Sequence, residues 1–204
     1  MDDIRLEQRW QNLQTTLFSL GSLQQPPRWE GLATPPLPMA GETAVLISAS
    51  KLQARSVLEG WLKHLLNQRA GRAAPTVVIC RGESSSKAET FSIAMRWLPM
   101  ESQQADGLLS DLFALAEEGR RICWPIPPES GLARAVALAK GRDVADRAFS
   151  SCWHGGIKRW AERERSDLQA CFGNGCDAER LLSSPGFDNA FDSLYAPLLE
   201  ARRP

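Results

Sequence analysis

Five prolines, Pro26, Pro27, Pro35, Pro36 and Pro38, crowd one short stretch near the N-terminus, and they limit the fold more than any other feature. Proline fixes φ and carries no N–H, so neither a helix nor a central strand runs through such a stretch. The segment Pro35–Gly41 is therefore expected to be irregular. It separates an amphipathic leading segment from the apolar run Ala44-Val45-Leu46-Ile47. In the leading segment Ile4, Leu6, Trp10, Leu13 and Leu17 recur at helical spacing and predict a helix over 2–17. Thr15–Leu20 reads as β-like, Arg28–Thr34 as a second short strand, and Thr43–Ser48 as a third.

Beyond the third strand, Ser50 is placed to cap the clearest helix of the chain, Lys51–Asn67. Leu58, Trp61, Leu62, Leu65 and Leu66 form its expected apolar stripe, with Lys51, Arg55, Glu59 and Lys63 on the opposite face at four-residue intervals. His64 lies between the two and reads as a partly exposed helix residue. Pro75–Cys80 is a compact strand, and Thr90–Leu98 is its antiparallel partner across the polar turn Gly82–Lys87. Helices follow at 102–118, 129–140, 143–153 and 187–201. The order predicts one α+β domain over residues 1–204, with a core over about 2–120 and a helical C-terminal extension over about 121–204.

Lys+Arg and Asp+Glu both number 24, so no global charge announces a nucleic acid. The charge is local instead. Six basic residues against one acid fill Lys51–Arg81, and five acids against Arg180 fill Asp177–Glu200. No apolar run approaches the roughly 20 residues of a bilayer span. An acidic start unlike a signal peptide and five scattered cysteines point to reduced thiols in the cytoplasm.

Several chemistries lack their residues. Ala139-Lys140-Gly141 has the wrong order for a phosphate loop, and neither a dinucleotide fingerprint nor a Gly-x-Ser-x-Gly elbow occurs. Cys171 and Cys176 have a zinc-compatible spacing, but Cys152-x-His154 is too tight, so isolated thiols and no metal are expected.

Helix, three strands, helix, strand is also the core order of the PD-(D/E)xK (restriction-endonuclease-like) nucleases. That chemistry needs an Asp on the second strand and an Asp/Glu-x-Lys on the third, which together hold Mg²⁺ and position water beside a phosphate. Here the second strand offers Ala33 where the Asp belongs. The third offers Ser48 and Ser50 where the acid and the lysine belong. A hard cation does not settle on an alanine and two neutral hydroxyls. A degenerate nuclease-like core without a catalytic residue is expected.

The stretch Leu52–Leu65 ends in Trp61-Leu-Lys-His64-Leu. Trp124-Pro-Ile-Pro-Pro-Glu-Ser-Gly131 follows, then Ala148-Phe-Ser-Ser-Cys-Trp153, and finally Phe191-Asp-Ser-Leu-Tyr-Ala-Pro-Leu-Leu199. In order and spacing these resemble the C-terminal domain of RecC proteins, the gamma subunits of exodeoxyribonuclease V, the RecBCD helicase–nuclease. The resemblance covers about 44–200, leaves Ser166–Ser184 unaligned, and extends to the first forty residues only in predicted pattern. RecC proteins are far longer, so the resemblance implies a C-terminal piece of such a subunit. It further implies a degenerate nuclease-like fold that supports duplex splitting, single-strand guidance and subunit assembly in double-strand-break repair. RecB-like and RecD-like subunits and DNA are the implied partners, and Mg²⁺ and ATP would belong to the partner subunits.

Two surfaces are candidates for DNA. Lys51, Arg55, Lys63, Arg69 and Arg72 are placed to track phosphates. Pro35, Pro36, Leu37, Pro38 and Met39 form a stiff loop whose Leu37 and Met39 are candidate apolar tips of a strand-parting wedge. Trp61 reads as core, Trp29 and Trp124 as stacking or interface residues. A free-standing metal-dependent nuclease and a protein–protein module without DNA contact remain the alternatives.

Overall fold

The computed structural model describes residues 2–24, 37–82, 90–156 and 160–202. The chain divides into two compact units, residues 1–109 with 201–204, and residues 110–200.

The first unit opens with helix α1, Asp2–Phe18. It runs through the segment expected to be β-like from Thr15 and ends in a turn, so that expectation is corrected. The two threonines stay helical because their hydroxyls donate to carbonyls four residues back, Thr15 to Gln11 at 2.9 Å and Thr16 to Asn12 at 3.1 Å. Leu17 then reaches the core formed by Ala40, Val45, Val77 and Ile79, with Leu13, Leu20 and Phe91 packed around it.

A five-stranded sheet lies under α1, in the order β1 (Leu23–Gln24), β2 (Met39–Ala40), β3 (Thr43–Ile47), β4 (Thr76–Arg81), β5 (Phe91–Trp97). Only β3 and β4 run parallel; the other neighbours are antiparallel. Strand β2 corrects the expectation that Pro35–Gly41 is wholly irregular. Pro38 needs no donor there, because its carbonyl accepts the Val45 N–H at 2.9 Å. The hairpin from β2 to β3 turns at Gly41, whose φ is +58°. A Cβ at Gly41 would sit 2.6 Å from the Leu20 carbonyl oxygen, so the end of α1 and this hairpin approach as only glycine allows. The strand expected at Arg28–Thr34 lies outside the described residues. The pairing of β4 with β5 holds as expected, with a register shift at Val78/Ile79.

Helix α2 spans Ala54–Arg69, three residues later than the expected start. Gln53 is its N-cap residue and offers no side-chain bond. Ser50 cannot cap because the sheet holds it. Its N–H donates to Ser48 Oγ at 3.3 Å, and its carbonyl accepts the Arg81 N–H at 3.0 Å. The buried face is also rotated from the expected stripe. It comprises Ala54, Val57, Gly60, Trp61, His64, Leu65, Asn67 and Gln68, while Leu58, Leu62 and Leu66 are only half-buried.

Gly60 explains the rotation. A Cβ there would lie 2.7 Å from Val78 Cγ2 and 3.1 Å from the Trp97 ring, so the helix backbone rests almost on the sheet. Gln68 fixes the far end, donating to the Ala74 carbonyl at 2.8 Å and accepting the Met100 N–H at 3.1 Å.

The second unit is helical. Helix α3, Ser102–Gly119, enters it. Then come α4 (Pro128–Ala137), α5 (Arg142–His154), α6 (Ser166–Phe172), α7 (Ala178–Leu182) and α8 (Phe187–Glu200). The short α6 and α7 occupy a segment in which apolar spacing predicts no element. Pro128 starts α4, where its missing N–H costs nothing. The next two N–H groups, of Glu129 and Ser130, donate to the buried Glu162 carboxylate at 2.9 and 2.7 Å. Arg134 is 4% exposed. Its guanidinium lies over the Phe187 and Phe191 rings and bonds Asp146 at 2.8 Å.

Replacing Gly60 by alanine tests the close seat of α2. Overpacking costs about 1–3 kcal/mol and exceeds the roughly 1 kcal/mol that alanine gains in a helix. A net loss of up to about 2 kcal/mol in denaturant unfolding is expected; a raised midpoint would refute that seat.

Candidate functional site

The residues singled out by the sequence fall at three places in the first unit. The first is the carboxyl end of the parallel pair β3–β4. Ser48 directly follows β3, where its N–H donates to the Ile79 carbonyl at 2.8 Å and its Oγ accepts the Ser50 N–H at 3.3 Å; it stands one residue past the Ile47–Ile79 pair, as Cys80 does on β4. Burial pushes the Cys80 thiol up from its ordinary range, partly offset by Ser48, so the thiol stays protonated. A hydroxyl and a protonated thiol are poor ligands for a hard divalent cation, which prefers carboxylate oxygens. Among the described residues no group of three or more His, Cys, Asp or Glu is placed to hold a metal ion. Ala33 lies outside the described residues.

The basic residues form the second place, and the fold disperses them. Lys51 precedes α2 rather than lying on it. Lys63 is half-buried and pairs with Glu59 at 2.8 Å, and Arg69 pairs with Asp106 at 2.9 Å. Arg55 is exposed in the first turn of α2. Arg72, beyond the helix, is half-buried.

The third place is the proline loop. Pro35 and Pro36 lie outside the described residues. Leu37 is only 2% exposed, which corrects its expected role as a wedge tip: the side chain belongs to the core. Pro38 and Met39 are half-buried. Met39 and Arg72 meet around an open groove of about 540 Å³, whose wall also holds Gln24, Glu42 and Pro75.

The tryptophans divide differently from expectation. Trp61 is core as expected. Trp124 is half-buried, with its indole N–H donating to the Leu115 carbonyl at 3.1 Å, so it serves the packing of the second unit. Trp29 lies outside the described residues.

His64 was expected to be partly exposed, and it is fully buried. Its ring stacks on Trp61 at 5.5 Å and tilts against Trp97 at 6.1 Å, and Nδ1 bonds Thr76 Oγ1 at 2.9 Å. Nε2 has no partner within hydrogen-bond geometry among the described residues. Burial lowers its pKa to about 4, with the Leu98 backbone acting weakly the other way. The Trp-x-x-His spacing in α2 is thus a packing motif: i and i+3 residues share a helix face and dock together on β5.

Comparison with known families decides the identity. The family model of the RecC C-terminal domain matches residues 2–139. The chain belongs to the RecC C-terminal domain family. The RecC match takes in the first forty residues, where the sequence resemblance rested on pattern alone. It stops before Ala148–Trp153 and Phe191–Leu199, two of the segments that carried the resemblance. No curated protein matches the chain. No helix among the described residues is long and apolar enough to cross a membrane.

The buried imidazole sets a pH dependence for this RecC domain. The unfolded chain takes up a proton near pH 6.5 and the folded one only near 4, so stability is full above 6.5 and falls as pH drops towards 4. The loss across that window is on the order of 3 kcal/mol. Replacing His64 by glutamine is expected to remove that slope from unfolding free energies measured between pH 7 and 4. A slope retained in the variant would assign it to other groups.

Proposed function

We propose that this chain is the non-catalytic C-terminal domain of a RecC-like subunit of exodeoxyribonuclease V. In this reading it is a degenerate nuclease-like fold that supports duplex splitting, single-strand guidance and subunit assembly. Family membership supports the RecC-like role. The nuclease-like reading is supported by the element order: helix, three strands, helix, then a strand parallel to the third.

The observation that carries the non-catalytic reading is the residue set just past the Ile47–Ile79 pair of β3 and β4, where Ser48, Ser50 and Cys80 stand and no acid does. An active PD-(D/E)xK centre would place acids on adjacent strands, where Mg²⁺ lowers the pKa of water and neutralises charge on the phosphate. A hydroxyl and a protonated thiol supply neither charge nor affinity. Cutting DNA and hydrolysing ATP therefore fall to RecB-like and RecD-like partner subunits, which would hold the Mg²⁺. The domain itself needs no cofactor.

DNA contact in this reading is electrostatic and modest. Lys63 and Arg69 already serve Glu59 and Asp106, so each would have to break an ion pair to reach a phosphate. Arg55 is the better placed cation, exposed on the first turn of α2.

Assembly with a RecB-like helicase and a Mg²⁺ assay on linear duplex DNA test the proposal together. Co-purification with the helicase, and no cleavage by the chain alone, are expected. Mg²⁺-dependent cleavage would instead support a free-standing nuclease. In salt titrations of duplex binding, Arg55→Ala is expected to lower the log–log slope by roughly 0.9, the value for one phosphate, and Lys63→Ala to leave it nearly unchanged. A chain without salt-sensitive DNA affinity would favour the protein–protein module.

A further inference from the structure

The connection between α6 and α7 carries Gly173-Asn174-Gly175, and its tip is open. Asn174 and Gly175 form an exposed turn. The two glycines hold positive φ, +82° and +79°, and a Cβ on either would meet nothing within 4 Å. One indole holds the turn from both sides. Before it, the Phe172 ring meets Trp153 edge-on, with centroids 6.0 Å apart. After it, the Cys176 carbonyl accepts the Trp153 indole N–H at 2.7 Å.

The chain has four asparagines, and the other three lie inside helices: Asn12 in α1, Asn67 in α2 and Asn189 in α8. A helix directs each N–H at the carbonyl four residues back and so holds the next nitrogen away from an asparagine side chain. Ala190, which follows Asn189, donates in this way to Gly186 at 3.0 Å. Asp106-Gly107 also has a following glycine, but it lies within α3 and its carboxylate pairs with Arg69 at 2.9 Å. Asn174 alone of the four asparagines combines an exposed turn with a following glycine.

We infer that Asn174-Gly175 is a site of spontaneous covalent modification, at which the asparagine becomes aspartate and isoaspartate. The flanking glycines let the turn reach the ring-closing backbone conformation, and no Cβ obstructs the attacking residue. The Gly175 nitrogen gives up its proton and attacks the Asn174 side-chain carbonyl carbon. A C–N bond closes a cyclic succinimide, and the side-chain nitrogen leaves with that proton as ammonia. Water then opens the ring at either carbonyl, with no change of oxidation state. Both products add a negative charge. Isoaspartate also routes the main chain through the side-chain carbon, which lengthens the turn between its two contacts with Trp153.

Ageing the folded 204-residue chain for days at about pH 8 and about 37 °C tests the site. The mass is expected to rise by about 1 Da as an amide becomes an acid. The gain should fall in the tryptic peptide 166–180, be labelled by an isoaspartyl methyltransferase, and slow as the pH is lowered. Asn174→Gln should lose both gain and label, because the longer side chain must close a larger ring. No gain in the folded chain, while the free peptide of the same sequence converts, would overturn the assignment. Isoaspartate forming first at Asp106, or label persisting in Asn174→Gln, would overturn it as well.

Discussion

The first unit depends on one contact, the seat of α2 on β4 and β5. Gly60 lets the helix backbone descend onto Val78, and the descent lays Trp61 and His64 against Trp97 in a buried aromatic layer. Buried aromatic pairs each add about 0.5–1.5 kcal/mol beyond the area they remove from water. The layer also carries a cost. An imidazole inside it must stay neutral, and its Nδ1 must be met by Thr76. The contact therefore fixes the rotation of α2, and with it the positions of Arg55, Lys63 and Arg69.

Backbone bonds within the sheet order the carboxyl end of β3 and β4. Ser48 and Ser50 are tied into the sheet by backbone bonds to Ile79 and Arg81, and the Ser50 N–H also donates to Ser48 Oγ. Short neutral side chains need no counterion and leave no charge to attract one. In an enzyme of this element order the corresponding acids would repel each other without a cation, a cost accepted for catalysis. At this end of the sheet the backbone groups of Ser48 and Ser50 are satisfied locally.

Much of the architecture was legible because it rests on periodicity. The α+β class, the pairing of β4 with β5, and helices α3, α4, α5 and α8 follow from apolar spacing, while the short α6 and α7 do not. What escaped depended on particular tertiary contacts. Thr15 and Thr16 suggested a strand by propensity, but their hydroxyls bond back along α1 and Leu17 enters the core. Pro38 argued against any strand, yet a proline carbonyl accepts Val45 well enough for a two-residue ladder. The stripe on α2 was displaced because helical spacing knows nothing of Gly60, whose missing side chain selects the face that approaches the sheet. For the site, the absence of acids at Ser48 and Ser50 could be read directly. The ion pair of Lys63 with Glu59 follows from their four-residue spacing on α2, whereas that of Arg69 could not be read, since Asp106 comes from another helix.

Anomalous diffraction from crystals soaked in manganese bears most directly on the proposed non-catalytic reading. No ion is expected beside Ser48 and Cys80, where neutral oxygen and sulfur are offered to it. A manganese peak there, coordinated by several carboxylates, would contradict the account and return the chain to the active metal-dependent nucleases.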